Sequence, residues 1–133
     1  MLTKIVRGLF LTAALLALAA SLYFLLTPLP YNEIDAATGA IQRGTSTWLE
    51  RQGWWGVGVL AFFVLLYTLP AMAYWRGSRL WAMVFSVLAA VLTMLASFSI
   101  GLAYYPALSM LLIGLGLAGI NAIWQRVRIG AQP

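Results

Sequence analysis

Long apolar segments separated by short polar ones are the dominant pattern of this 133-residue sequence. No charged residue occurs over 8–27, over 53–75 or over 80–125. A helix needs about 20 apolar residues to cross the roughly 30 Å hydrocarbon core of a bilayer. At about 1.5 Å per residue, the third segment would make a helix of roughly 70 Å, so it must fold back on itself. The sequence therefore predicts four membrane-spanning helices.

The turn inside the third segment is expected where Gly101, Tyr104, Tyr105 and Pro106 cluster. Proline suits the first turn of a helix, and tyrosine suits the headgroup level of a membrane. The apolar segments do not alternate with period two, which argues against barrel strands. We therefore predict an all-α, integral membrane four-helix bundle forming one domain over 1–133. Its spans are about 6–27, 54–75, 79–102 and 106–125, with a polar loop of about 25 residues at 28–53.

The beginning of the chain also has features of a secretory signal peptide. Lys4 and Arg7 precede an apolar run, and small residues follow at 17–19. The run continues through Tyr23 and Leu26, past the point where a signal peptide would be cleaved. We therefore expect this segment to remain as the first span.

Charge and tryptophan positions predict the same orientation. Cytoplasmic loops of membrane proteins carry an excess of Lys and Arg. Arg43 and Arg51 lie in the 28–53 loop with all three acidic residues. The other six basic residues flank the spans on the opposite side: Lys4, Arg7, Arg76, Arg79, Arg126 and Arg128. Both termini are therefore predicted to be cytoplasmic. The tryptophans fit an inner belt of Trp75, Trp81 and Trp124 and an outer belt of Trp48, Trp54 and Trp55.

The 28–53 loop contains signals for local structure. Pro28 and Pro30 end the first span in an extended conformation. Asn32 or Asp35 is expected to cap a short helix that runs to about residue 42. Thr47 followed by Glu50 is a capping box that would open a second short helix before residue 53.

Small and weakly polar residues recur at helical spacing in the last two spans, and the first span carries a similar face of Ala13, Ala17, Ala20 and Ser21. Such stripes allow close helix packing in lipid, either within the bundle or against a partner subunit. A second interpretation is that the polar members line a path between protomers of a transporter or channel. The stripe residues are Ser86, Ala90, Thr93, Ser97 and Gly101 in the third span and Gly114, Ala118 and Asn121 in the fourth.

The missing residue types exclude several functions. The chain has no histidine and no cysteine. No predicted span contains Asp, Glu, Lys or Arg, apart from Arg7 and Arg79 at the ends of the first and third spans. Proton-coupled transport requires such groups inside the membrane, and metal or haem ligation usually uses histidine. The glycines over 114–119 match a dinucleotide-binding pattern but follow no strand. We predict no cofactor, no metal, no catalysis and no nucleic-acid partner; membrane lipid is the remaining candidate ligand.

The segment 99–107, Ser-Ile-Gly-Leu-Ala-Tyr-Tyr-Pro-Ala, resembles the second hairpin of small uncharacterised bacterial four-helix membrane proteins. That resemblance implies a bacterial plasma membrane and no activity. With the charge-free spans, it leads us to expect a small accessory subunit of a larger membrane complex, bound to other integral subunits. The alternative is a small oligomeric transporter or channel, and a third possibility is a lipid-binding or assembly factor.

Overall fold

Four helices dominate the structure, a computed structural model that describes residues 1–98 and 101–131. The helical class and the number of helices predicted from the sequence are confirmed. Two of the helices, and the segment 101–130 that contains a third, are long and apolar enough to cross a membrane. The remaining apolar helix is shorter, at 17 residues. The four are α1 (Leu2–Leu26), α2 (Trp48–Trp75), α3 (Arg79–Leu95) and α4 (Tyr105–Gly130).

The helices follow one another around the bundle. Helix α1 packs against α2 and α4, α2 also packs against α3, and α3 contacts α4 less extensively. Helix α1 presents its buried face at steps of three and four residues, through Val6, Phe10, Ala13 and Ala17. The alanines on this face allow the neighbouring helices to approach closely. Large apolar side chains on the outside of all four helices are exposed, as expected of surfaces solvated by lipid.

A β-hairpin, not a helix, joins α1 to α2, so the predicted short helix in this loop is wrong. Strands β1 (Leu29–Ile34) and β2 (Ile41–Ser46) pair antiparallel. Asp35 does accept a backbone hydrogen bond, from the N–H of Ala37 at 2.9 Å, but it does so in the hairpin turn. Gly39 closes that turn with a φ of +68°, a conformation that stops a helix and that glycine adopts easily.

The predicted capping box before the second span is confirmed. The Glu50 N–H donates to Thr47 Oγ1 at 3.3 Å, and the Thr47 N–H donates to Glu50 Oε2 at 2.8 Å. Gly53, with a φ of +62°, then interrupts the helical backbone. The first turn of α2 is therefore a short helix of its own, and the uninterrupted helix begins at 54, where the sequence predicted the span.

Helix α3 ends earlier than predicted, at Leu95 and not at 102. Two short 3₁₀ segments follow, η1 (Ala96–Phe98) and η2 (Gly101–Tyr104). A Cβ added to Gly101 would lie 2.5 Å from the backbone oxygen of Thr93, so the chain has already turned back against α3. Glycine permits this approach because it has no side chain. Residues 99 and 100 of the hairpin resemblance lie outside the described residues.

The other ends of the spans are close to their predicted positions. Helix α1 begins at Leu2 and ends one residue before the predicted 27. Pro106 lies in the first turn of α4, as predicted. That helix continues to Gly130, past the predicted end at 125, because no breaker occurs until the last glycine and the basic side chains tolerate water.

Candidate functional site

The centre of the bundle contains two hydrogen-bonded pairs of hydroxyl groups. Tyr67 Oη of α2 lies 2.8 Å from Thr93 Oγ1 of α3. Ser21 Oγ of α1 lies 2.6 Å from Tyr104 Oη at the end of η2. Both tyrosines and Thr93 are fully buried, and Ser21 is 6% exposed. Each pair therefore joins two helical elements that are distant in sequence.

Stacked aromatic rings connect these two pairs. The rings of Tyr67 and Tyr104 are 6.2 Å apart and inclined by 17°, and Phe63 stacks on Tyr104 at 4.8 Å. Ser21 Oγ also lies 3.4 Å from the carbonyl oxygen of Leu60, to which it can donate. We call Ser21, Tyr67, Thr93 and Tyr104 the hydroxyl cluster. It joins α1, α2, α3 and the start of α4 at one level of the bundle.

The sequence placed two members of this cluster, Ser21 and Thr93, on packing faces without predicting their partners, and it missed Tyr67 and Tyr104 as members. Tyr104 was expected at the headgroup level, but the structure buries it completely, whereas its neighbour Tyr105 is 37% exposed. The reason is that η2 turns inward above Phe63 before α4 begins. The sequence signal available was a tyrosine inside each of two apolar segments, since a buried tyrosine usually requires a hydrogen-bond partner.

Of the residues in the predicted stripe on α3, only Thr93 belongs to the hydroxyl cluster. Ser86 is fully buried, and its hydroxyl donates to the carbonyl oxygen of Ala82 at 2.7 Å, within its own helix. Ala90 and Ser97 are partly buried. Gly101 is buried against the backbone of Thr93 and Ala96. The two hydroxyl side chains on α3, Ser86 and Thr93, thus face the interior of the bundle.

The stripe on α4 faces α1. A Cβ at Gly114 would meet Leu9 at 3.3 Å and Phe10 at 3.4 Å, which makes this glycine a point of close helix contact. Ala118 is buried one turn further on. Asn121 Nδ2 donates to Thr3 Oγ1 at 3.4 Å, across the α1–α4 interface. These three residues and the α3 stripe therefore lie in different interfaces.

Contacts between the helix ends gather the flanking basic residues at one end of the bundle. The Arg7 guanidinium lies 5.8 Å from the ring centre of Trp75, so the start of α1 meets the end of α2. Arg79 Nη1 donates to Gln125 Oε1 at 2.9 Å, so the start of α3 meets the end of α4. The same end of the bundle also contains the other four basic residues that flank the helices and two exposed tryptophans: Lys4, Arg76, Arg126, Arg128, Trp81 and Trp124.

The outer tryptophans are divided between packing and exposure. The ring of Trp48 packs against that of Phe24 at 5.9 Å. Trp54 and Trp55, which follow Gly53, are 82% and 80% exposed. Their rings therefore extend from the bundle at the end opposite to the one where the flanking basic residues gather.

A polar surface at the hairpin is the second candidate site. It surrounds a shallow cavity of about 390 Å³. The Arg51 guanidinium lies 4.8 Å from the ring centre of Tyr31, and its Nη2 lies 3.9 Å from Glu33 Oε1. Tyr31 also covers Gly44, where an added Cβ would clash with its ring. We call this surface the hairpin face; it consists of Tyr31, Glu33, Ser46, Glu50, Arg51 and Gln52.

The charge at the hairpin turn is fixed by local hydrogen bonds. The backbone N–H of Ala37, followed by the Thr38 hydroxyl, lowers the pKa of the Asp35 carboxyl from its ordinary value. Asp35 is therefore ionised at neutral pH and stabilises the turn as an acceptor.

The hydroxyl cluster contains no side chain that could act as a base for its hydroxyl groups. Hydroxyl groups need a nearby base to act as nucleophiles, and the hydroxyl cluster contains tyrosine, serine and threonine alone. Within residues 1–98 and 101–131, no three His, Cys, Asp or Glu side chains come together in a way that could hold a metal ion. The arrangement is suited to joining helices and to presenting a polar surface.

The fold is a small helical bundle with a β-hairpin, and three of its helical segments are long and apolar enough to cross a membrane. The chain matches no protein-family model, no curated protein and no solved structure.

Proposed function

We propose that this protein is a small non-catalytic accessory subunit of a larger complex in a bacterial plasma membrane. In this proposal all four helices cross the membrane, both termini are cytoplasmic, and the hairpin lies on the outer side. The gathering of six basic residues at the end of the bundle opposite the hairpin supports that orientation, because such residues favour the cytoplasmic side.

The observation that carries the proposal is that the buried hydroxyl groups of the hydroxyl cluster hydrogen-bond to one another within the chain. Tyr67 pairs with Thr93 and Ser21 pairs with Tyr104, all within one chain and all buried. In lipid, hydrogen bonds of this kind hold helices together. The polar groups of the interior thus serve the bundle itself, which suits a structural subunit whose outer surfaces are left for partners.

The hairpin is the element best suited to contact an extramembrane partner. The Asp35 N–H donates to the Ala40 carbonyl at 2.9 Å, so these two residues form a hydrogen-bonded pair of the antiparallel ladder. Along the strands, hydrogen-bonded pairs alternate with pairs whose backbone groups point outward. By that alternation, the backbone groups of Arg43 and Thr45 point away from β1, while Pro30 on the opposite edge has no N–H to offer. An extended segment of a partner would therefore add to the β2 edge, beside the hairpin face.

The alternative is a small oligomeric transporter or channel with a path between protomers. Such a path requires polar side chains on the outer surface of the bundle at membrane depth. Of the polar side chains expected to line such a path, Ser86 and Thr93 are buried inside the chain, and Ser97 and Asn121 are partly buried. This burial favours the accessory function over the alternative.

The test is purification of the tagged full-length chain from native membranes in mild detergent, followed by native mass spectrometry. The accessory function predicts recovery in fixed stoichiometry with larger, different subunits. Recovery as a lone monomer or homo-oligomer would overturn it, and a homo-oligomer would favour the transporter. A photo-crosslinking residue at Thr45 should then capture a partner subunit, whereas the matched residue at Ile129, at the opposite end, should not capture the same one.

A further inference from the structure

A groove between the end of α2 and the start of α3 combines an apolar wall with a cationic group. Its volume is about 220 Å³. The apolar wall is formed by Leu69, Met72, Trp81 and Phe85. The rings of Trp81 and Phe85 stack at 5.8 Å, which gives that wall a flat surface. Arg76 and Ser78 border the groove from the connector between the two helices.

The two polar groups of this groove are available to a ligand. Arg76 is exposed, and its neighbour Arg79 is held by Gln125 on α4. Ser78 occupies the N-cap position of α3, yet within the described residues its side chain does not cap that helix. A guanidinium and a hydroxyl together are donors that suit a phosphate group.

The distribution of charge favours an anion at this end of the bundle. All three carboxylates of the sequence are in the hairpin or the first turn of α2: Glu33, Asp35 and Glu50. Helix α2 separates them from Arg76 by roughly 35 Å, several times the Debye length of about 8 Å at physiological salt. The cations Arg7, Arg79 and Arg126 are nearby, so the potential around the groove is positive.

We propose that this groove binds one anionic phospholipid, with its phosphate on Arg76 and Ser78 and an acyl chain against the apolar wall. A free phosphate would leave the apolar wall unused, and a neutral lipid would leave the cation without a counter-charge. Exposed Trp75 and Trp81 are at the same level, where aromatic side chains meet lipid headgroups. The inference rests on the chain being in a membrane but does not depend on its being an accessory subunit.

The test uses the delipidated full-length protein in detergent, with thermal unfolding and native mass spectrometry as readouts. Phosphatidylglycerol should raise the unfolding midpoint and remain bound in the mass spectrum. Phosphatidylcholine should bind at least about tenfold more weakly, because its choline cation is repelled by the positive potential at this end of the bundle. Inorganic phosphate should also bind at least about tenfold more weakly, because it has no acyl chain to bury against the apolar wall. Equal stabilisation by phosphatidylcholine, or by phosphate alone, would overturn the proposal.

Matched variants locate the binding to this groove. Arg76→Gln should weaken phosphatidylglycerol binding about tenfold or more, and Arg76→Lys should retain much of it. Arg128→Gln removes one positive charge at the same end of the bundle, outside the groove, and serves as the control; an equal loss there would overturn the proposal. Ala73→Leu, which narrows the groove and leaves all charges in place, should also weaken binding. Unchanged binding in both Arg76→Gln and Ala73→Leu would contradict the proposed site.

Discussion

Substitution of Gly101 by alanine tests how the chain turns from α3 into α4. The added Cβ would lie 2.5 Å from the Thr93 oxygen and 2.7 Å and 2.9 Å from the carbonyl carbon and oxygen of Ala96. All three atoms belong to the backbone, so no side chain can rotate out of the way. Accommodation requires η2 to move away from α3, which would disturb the packing of the adjacent Tyr104.

The expected cost follows from the general cost of overpacking. Extra carbon atoms in a packed interior destabilise a protein by about 1–3 kcal/mol. Gly116 on α4 provides the matched control, because a Cβ there would meet nothing within 4 Å. Alanine in the interior of a helix is better than glycine by roughly 0.5–1 kcal/mol, so Gly116→Ala should be neutral or stabilising. The two variants should therefore differ by about 1–4 kcal/mol in the free energy of unfolding.

The assay is equilibrium unfolding of the purified protein in mixed micelles, followed by tryptophan fluorescence. Both variants carry the same chemical change, so the detergent and the assay affect them alike. A Gly101→Ala protein as stable as Gly116→Ala would refute the close approach of Gly101 to α3 and, with it, the early end of that helix.

Three further predictions concern the hydroxyl cluster and the hairpin. Tyr67→Phe should lower the free energy of unfolding by about 0.6 kcal/mol, and at most about 1.7, because it removes the hydrogen bond to Thr93. A double-mutant cycle that combines it with Thr93→Val and finds no coupling energy would contradict this. Thr47→Ala should cost about 1 kcal/mol by removing the cap of α2, seen as faster amide exchange in its first turn; unchanged exchange would refute the cap. Because the Asp35 pKa is lowered in the folded turn, its stabilising effect is complete above the unfolded pKa. That effect is lost as the pH falls through the folded value, so hairpin amide protection should fall in acid, and Asp35→Asn should abolish this dependence.

The helices were predictable because their signals are local. Uncharged segments of sufficient length, a proline at 106 and the Thr47–Glu50 pair each act over a few residues, and the structure contains the corresponding elements. The hairpin was mispredicted because Asp35 is equally good as a helix cap and as a turn residue. The choice between them was made by Gly39 with its positive φ and by the pairing of Ile34 with Ile41.

The hydroxyl cluster could not be predicted because it depends on how whole helices are rotated and aligned. Tyr67 and Thr93 are 26 residues apart, and Ser21 and Tyr104 are 83 residues apart. No periodicity within one helix fixes which residue of another helix it meets. The sequence placed Thr93 on a packing face, but its partner follows from the tertiary arrangement alone.

The central claim is that the polar interior of the bundle is closed and holds the helices together. The chain contains no cysteine, so a single Thr93→Cys variant can be labelled without background. In native membranes, a charged thiol reagent should leave this cysteine unmodified and should modify a control cysteine at the exposed Ala36 position in the hairpin turn. Modification of Thr93→Cys at a rate comparable to that control, in protein that keeps its thermal stability, would reveal a wet path through the bundle and contradict the proposed structural function.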